Sequence, residues 1–218
     1  MRVQVNNATF FIVITIVILL ISLGSFALMI SHVEQPKYIV VKSLNDIEIR
    51  KYQPLIIAEV NITSERKDAL IQGYDLLSDY ILGNNQEKVA IEMTLPVAQQ
   101  IGDRYLNAVD IFTENPNKVW AIRFMIPQKY QFELLPKPLD ERIKLFELSE
   151  RDMVAIKFNG INNDENFLAQ LQKLENFVQQ QNIQTQGAPI FIFYDPLWTT
   201  NKIKRNEILI ELAHSSEQ

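Results

Sequence analysis

The 218-residue chain has no cysteine, two histidines and six glycines. Without thiols it can form no disulfide framework, no thiolate zinc site and no iron–sulfur cluster. The histidines, His32 and His214, are too few for a His-rich metal site. One adjoins an apolar run and the other lies in a polar tail, so neither is placed as a general base in a pocket. Six glycines leave no phosphate-cradling loop, and G-x-S-x-G and H-E-x-x-H are absent. Positive charge is also short, with 21 Lys+Arg against 26 Asp+Glu and a net charge of −5. That balance argues against a nucleic-acid partner, whose phosphates require basic contacts. The carboxylate pairs Asp140-Glu141 and Asp164-Glu165 sit at loop and helix-start positions, where acids stay solvated or complement the helix dipole. No catalytic constellation assembles, so a function other than catalysis is expected.

Charge is missing locally as well. Residues 8–30 read ATFFIVITIVILLISLGSFALMI, 23 positions without one charged side chain. As a helix at 1.5 Å per residue they span about 34 Å, enough for a bilayer core. The β-branched run at 11–21 is a mediocre helix former in water, but lipid offers its backbone no other partner, so a transmembrane helix is expected. A cleavable signal peptide is the alternative. Ser25-Phe26-Ala27 is a weak small-x-small site, and the apolar run continues past it, which favours an uncleaved anchor. Arg2 on one flank faces Lys37, Lys42 and Arg50, diluted by acids, on the other, so the positive-inside rule has little to act on. The short polar stretch 2–7 suits the cytoplasmic side of a signal anchor. The expectation is a single-pass membrane protein with its soluble part on the non-cytoplasmic side.

Residues 34–212, followed by the polar tail 213–218, read as one soluble α+β domain. Strands are expected at 38–43, 47–52 and 55–60, with Pro54 suiting an edge or a bulge. Thr63 or Ser64 can cap a helix running to Gly83, because Ala69, Leu70, Tyr74, Leu77, Tyr80 and Ile81 recur at helical spacing. Strands are expected again at 89–97, 104–113 and 119–126. Then the pattern restarts. Residues 143–148 and 153–158 repeat the order of 47–60, and Asn163 or Asp164 caps a second helix with Phe167, Leu168, Leu171 and Leu174 on one face. Strands at 189–194 and 207–212 close the chain. The repeat is one of element order, not identity. Neither half buries a sheet face alone, so a pseudo-two-fold unit is expected, with a curved or barrel-like antiparallel sheet carrying two helices.

Three segments are more specific than composition requires: Glu48-Ile-Arg-Lys-Tyr52, Asn84-Asn85 followed by Ile91-Glu-Met-Thr-Leu-Pro-Val97, and Tyr194-Asp-Pro196 followed by Arg205-Asn-Glu-Ile208. In order with Phe124-Met-Ile-Pro127, Pro136-Lys-Pro138 and Phe158-Asn-Gly160, they resemble the SOUL haem-binding protein family over residues 34–212. The resemblance implies a distorted antiparallel β-barrel flanked by two long helices, built from a duplicated half. It also implies non-covalent binding of haem or another porphyrin, without known catalysis, in a hydrophobic groove against the first helix. Mapped onto this chain, the helix is 64–82 and its groove residues are Leu70, Tyr74, Leu77, Tyr80 and Ile81. Met93 stands on the opposite wall, and Arg66 and Lys67 are placed for the propionates.

Each of these residues also has a plainer reading. Leu70, Leu77 and Ile81 share a helical face that core packing alone explains. Methionine commonly fills core gaps, and exposed first-turn cations such as Arg66 and Lys67 need no partner. Tyr74 and Tyr80 offer an apolar ring and a hydroxyl that can contact a pigment edge or iron. The axial histidine proposed for the family has no match here, so haem binding is expected to rest on apolar contact or on tyrosine. Arg50, Asn85, Thr94, Pro96, Tyr194, Asp195, Arg205, Asn206 and Glu207 read as architectural, with Arg50 or Arg205 paired to Glu207 to lock strand register. The alternatives to a tetrapyrrole carrier, buffer or sensor are a membrane-tethered protein-interaction module and an effector-binding domain for other small molecules. The protein partner, if any, is not specified.

Overall fold

Alternation of side chains builds the sheet and decides what lies on each side of it. In β3 (Leu55–Thr63) the residues Ala58, Val60 and Ile62 are buried on one face, and in β5 (Val119–Ile126) Trp120, Ile122, Phe124 and Ile126 join them. This is the two-residue period of a pleated strand. The computed structural model describes residues 33–102, 107–195 and 204–213. The apolar stretch 8–30, His32 and His214 lie outside these residues, and so does the tail from 214 onward. Among the described residues no helix is long and apolar enough to cross a membrane.

The remaining elements are β1 (Tyr38–Leu44), β2 (Ile47–Tyr52), α1 (Arg66–Ile81), β4 (Val97–Ile101), α2 (Ala108–Phe112), a 3-10 turn (Phe132–Leu134), β6 (Lys144–Leu148), β7 (Arg151–Gly160), α3 (Asp164–Gln180), β8 (Thr185–Phe193) and β9 (Lys204–Leu212). Among the described residues the nine strands form one antiparallel sheet in the order β1-β2-β7-β9-β8-β4-β5-β3-β6. β1 and β6 are its edges, so the sheet is open where a closed barrel was expected. The order from β2 to β6 has an internal symmetry. β2 pairs with β7 and β6 pairs with β3, so each half of the chain lends its first strand to the other, and β4 meets β8 in the middle.

Three local expectations differ from the structure, each for a stated reason. Residues 89–94 are not part of a named strand, because the Asn85 side chain occupies the backbone of Val89: its Oδ1 accepts from Val89 N at 3.1 Å and its Nδ2 donates to Val89 O at 2.7 Å. Ile91 N donates to Ile81 O instead of to a ladder. Where a strand was expected to reach Thr113, α2 forms, capped by Asn107, whose side chain accepts from Asp110 N and which leaves Ala108 and Ile111 facing inward. α1 begins after Glu65, whose side chain makes no cap, and not after Thr63 or Ser64, which belong to β3 and its end. The expected cap of α3 holds, with Asn163 Oδ1 accepting from Asn166 N at 3.0 Å.

Helices cover one face of the sheet. α1 lays Ala69, Leu70, Leu77 and Ile81 on β3 and β5, with Gly73 against Ile122. α3 inserts Phe167 between Phe158, Phe191 and Phe193 at centroid distances of 5.2 to 5.5 Å. The opposite face is apolar as well. Tyr52, Met153, Ala155, Ile190, Ile192, Tyr194 and Leu209 form a second buried cluster, drawn from β2, β7, β8 and β9 and, in Tyr194, from the residue that follows β8.

Candidate functional site

On α1, the helical face expected to floor a groove is spent on the core. Leu77 is fully buried and Tyr80 is 1% exposed, with Leu70 and Ile81 buried beside them. Tyr80 Oη donates to the Pro136 carbonyl at 2.8 Å, and burial together with the Glu87 charge pushes its pKa up to about 12. Its phenolate is therefore disfavoured as an iron ligand. Arg66 is buried too, stacked among Phe112, Phe167 and Phe191. Its Nε donates to Asp164 Oδ1 at 2.9 Å and its Nη1 to Gln99 Oε1 at 3.2 Å. Lys67 approaches the same carboxylate at 3.4 Å. The two cations placed for propionates thus share Asp164 and tie the start of α1 to the start of α3. Burial lowers the Arg66 pKa, with Asp164 working against it.

Two of the eight candidate positions adjoin the same end of β5 and stay partly open. Tyr74 is half-buried, its ring edge-on to Phe124 at 5.3 Å. Met93 is 45% exposed, and its neighbour Thr94 donates to the Met125 carbonyl. Lys67 is exposed at the other end of the helix. The structure therefore brings Leu70, Leu77, Tyr80 and Ile81 together as core, and leaves Tyr74, Met93 and Lys67 as surface.

The face without helices carries the larger concentration of chemistry. Arg50 on β2 is fully buried and reaches over β7, where the intervening Ala155 is small, to Glu207 on β9. Its Nη1 donates to Glu207 Oε2 at 2.6 Å and to Tyr52 Oη at 2.9 Å, and its Nε donates to Glu48 Oε2 at 2.8 Å. Lys157 closes on Glu48 and Arg205 on Glu207. Burial is the largest influence and opposes the Arg50 charge, but the hydrogen bonds and charges of Glu207 and Tyr52 together outweigh it and the pKa rises. For Glu48, burial raises the pKa and is overcome by hydrogen bonds from Lys157 and Arg50, which lower it. Tyr52 is pushed up to about 12 by burial, against the pull of Arg50. Tyr38 covers Arg50 at 4.3 Å, and Arg205 lies 3.7 Å over the Tyr194 ring. These contacts give Arg50, Tyr194, Arg205 and Glu207 the architectural place their sequence positions implied.

Beside this lock a cleft of about 80 Å³ opens along the sheet, with Tyr52 and Tyr194 at its border and Leu55, Ile57, Met125, Met153, Ile192 and Leu209 in its walls. The charged residues lining it are Arg123 and Arg151. Arg123 Nε donates to Glu59 Oε2 at 2.5 Å and its Nη1 to Gln100 Oε1 at 2.6 Å. Arg151, cross-strand from Tyr52, has no hydrogen-bond or ion-pair partner among the described residues. Burial lowers its pKa, the Glu211 charge raises it, and Arg123 lowers it further. The cleft escaped sequence reading, though a signal was present. The runs Met153-Val-Ala-Ile156 and Ile190-Phe-Ile-Phe-Tyr194 are apolar at every position, which is the pattern of strands covered on both faces.

A family model described as SOUL heme-binding protein matches residues 33–211. Heme-binding protein 2 of Homo sapiens is 27% identical over 134 residues, 61% of this chain and 62% of that protein, so the alignment spans under two thirds of that relative's length. Among solved structures, the EcmrR C-terminal domain superposes with a TM-score of 0.57 at 11% identity, over 78% of this chain and 98% of that one. A hydrolase from Listeria innocua superposes with a TM-score of 0.51 at 10% identity, over 83% of this chain and 93% of that one. At such identities these two structures share the fold alone. The family model covers nearly the whole described domain, and the chain belongs to the SOUL heme-binding protein family.

Proposed function

We propose that the chain binds haem or a related tetrapyrrole as a carrier, buffer or sensor and not as an enzyme, with residues 8–30 holding it at a membrane and the folded domain on the non-cytoplasmic side. The observation that carries the ligand class is the family match over residues 33–211. The absence of cysteine removes thioether attachment, so the ligand is held without a covalent bond. Tyr80 is committed to the Pro136 carbonyl, and of the two histidines His32 adjoins the apolar run and His214 lies in the polar tail, so apolar contact does most of the holding. On the flank of α1, Tyr74, Met93 and Lys67 are the candidate residues a macrocycle reaches without opening the core. They supply a ring face, a thioether and a cation for one propionate. Arg66 stays with Asp164 and is not needed for that contact.

The test is thermal denaturation of the full-length protein in detergent with increasing protoporphyrin IX. A ligand at 100 times its dissociation constant stabilises the folded state by about 2.7 kcal/mol. The melting temperature is expected to rise with ligand concentration, and less so in a Tyr74→Ala, Met93→Ala double variant. A melting temperature indifferent to both protoporphyrin IX and haemin overturns the reading and leaves the membrane-tethered interaction module in its place.

A further inference from the structure

We propose that the cleft on the face of the sheet without helices is a binding site for a slender apolar ligand ending in a carboxylate, with Arg151 as its anchor. Three observations converge on this chemistry. The walls are aliphatic and thioether side chains from β3, β5, β7, β8 and β9, so they reward apolar surface taken out of water. Two guanidiniums face that space, while Glu59 and Gln100 engage only Arg123. Arg151 feels the Glu211 charge but has no hydrogen-bonded anion among the described residues, and it stands against an apolar wall, a setting in which a charge is costly until an anion pairs with it directly. Finally, Tyr52 Oη accepts its bond from Arg50 Nη1, so its own hydroxyl hydrogen is available to an acceptor beside Arg151, its cross-strand neighbour.

The dimensions narrow the class. At about 80 Å³ the cleft is well below the roughly 300–1,000 Å³ of pockets that enclose drug-sized ligands. The carboxylate end of a hydrocarbon chain or the edge of a ring enters it, with the rest of the chain outside, and a whole macrocycle does not fit. Two sources supply the same chemistry: a long-chain acid drawn from lipid, or one propionate-bearing edge of a tetrapyrrole. The site stands apart from the tetrapyrrole reading, because any slender apolar carboxylate satisfies it. It also lies on the other face of the sheet from Tyr74 and Phe124.

The experiment uses the full-length protein in its membrane, a photoreactive diazirine derivative of a long-chain acid, and the matching alcohol. Peptide mapping is expected to place the acid's label on cleft strands β3, β5, β7 or β8. Losing one charge-assisted hydrogen bond makes Arg151→Gln lower that label about tenfold, while Arg151→Lys retains most of it. The alcohol labels these strands weakly and indifferently to Arg151. Equal labelling of wild type and Arg151→Gln, or label mapping elsewhere in the domain, overturns the site. Competition by protoporphyrin IX, but not by its dimethyl ester, identifies a propionate as the occupant. Labelling that resists competition while protoporphyrin IX still raises the melting temperature establishes two separate sites. Arg151-dependent labelling with no protoporphyrin effect of either kind keeps the cleft and removes the tetrapyrrole reading.

Discussion

Arg50 is the residue on which most of the buried charge depends, since it binds Glu48, Tyr52 and Glu207 at once. Removing one partner of a buried pair leaves the other uncompensated. Arg50→Met is expected to cost about 3 kcal/mol, at the lower end of such losses because Arg205 still reaches Glu207 at 3.1 Å. The chemical-denaturation midpoint checks this, and adding Glu207→Leu is expected to restore much of the loss. The phenols give a pH test. Tyr52 and Tyr80 both move from 10.0 to about 12, burial being the first cause. The folded state thus holds these protons more tightly than the unfolded chain does. Their contribution is complete below pH 10, fades as the pH rises from 10 to 12, and is lost above it. Ultraviolet difference titration is expected to show two phenols that ionise only near pH 12, and Tyr80→Phe to remove one of them. At this scale the sequence offered Arg50 or Arg205 as the partner of Glu207, charges that would lock strand register, and the structure pairs both with it. The pairing of Arg66 with Asp164 was not legible, since each reads alone as a solvated first-turn charge of its helix and only the fold brings the starts of α1 and α3 together.

At the scale of the element, α1 approaches β5 closely because Gly73 has no side chain. A Cβ there would stand 2.6 Å from Ile122 Cβ, an atom fixed to the backbone that cannot swing away. Gly73→Ala gains about 1 kcal/mol of helix propensity and incurs about 1–3 kcal/mol of overpacking. Net destabilisation is expected, read as a lower melting temperature with unchanged helix content in the folded baseline. Strong periodic elements, such as α1, α3, β2 and β5, were legible because their apolar residues recur at the right spacing over more than one turn or pleat. The segments 89–94 and 107–113 were not, because their structure is set by single polar side chains, and residues 104–106 lie outside the described residues. Asn85 takes the backbone of Val89, and Asn107 caps α2, neither of which an apolar pattern reveals.

For the whole molecule, the repeated order of elements announced two related halves, and the strand order shows how they combine. Each half gives a strand to the other, so the sheet stays open with β1 and β6 at its edges and neither half is complete alone. The resemblance located the ligand side at α1, but Leu77, Tyr80 and their neighbours are core there. The apolar surfaces considered for a ligand are the flank of that helix and the cleft on the opposite face. The most direct measurement is a haemin titration of the full-length protein followed by Soret absorbance. A saturable shift at low micromolar haemin, essentially unchanged when His32 and His214 are both replaced by alanine, is the predicted result. A titration with no saturable shift contradicts tetrapyrrole binding.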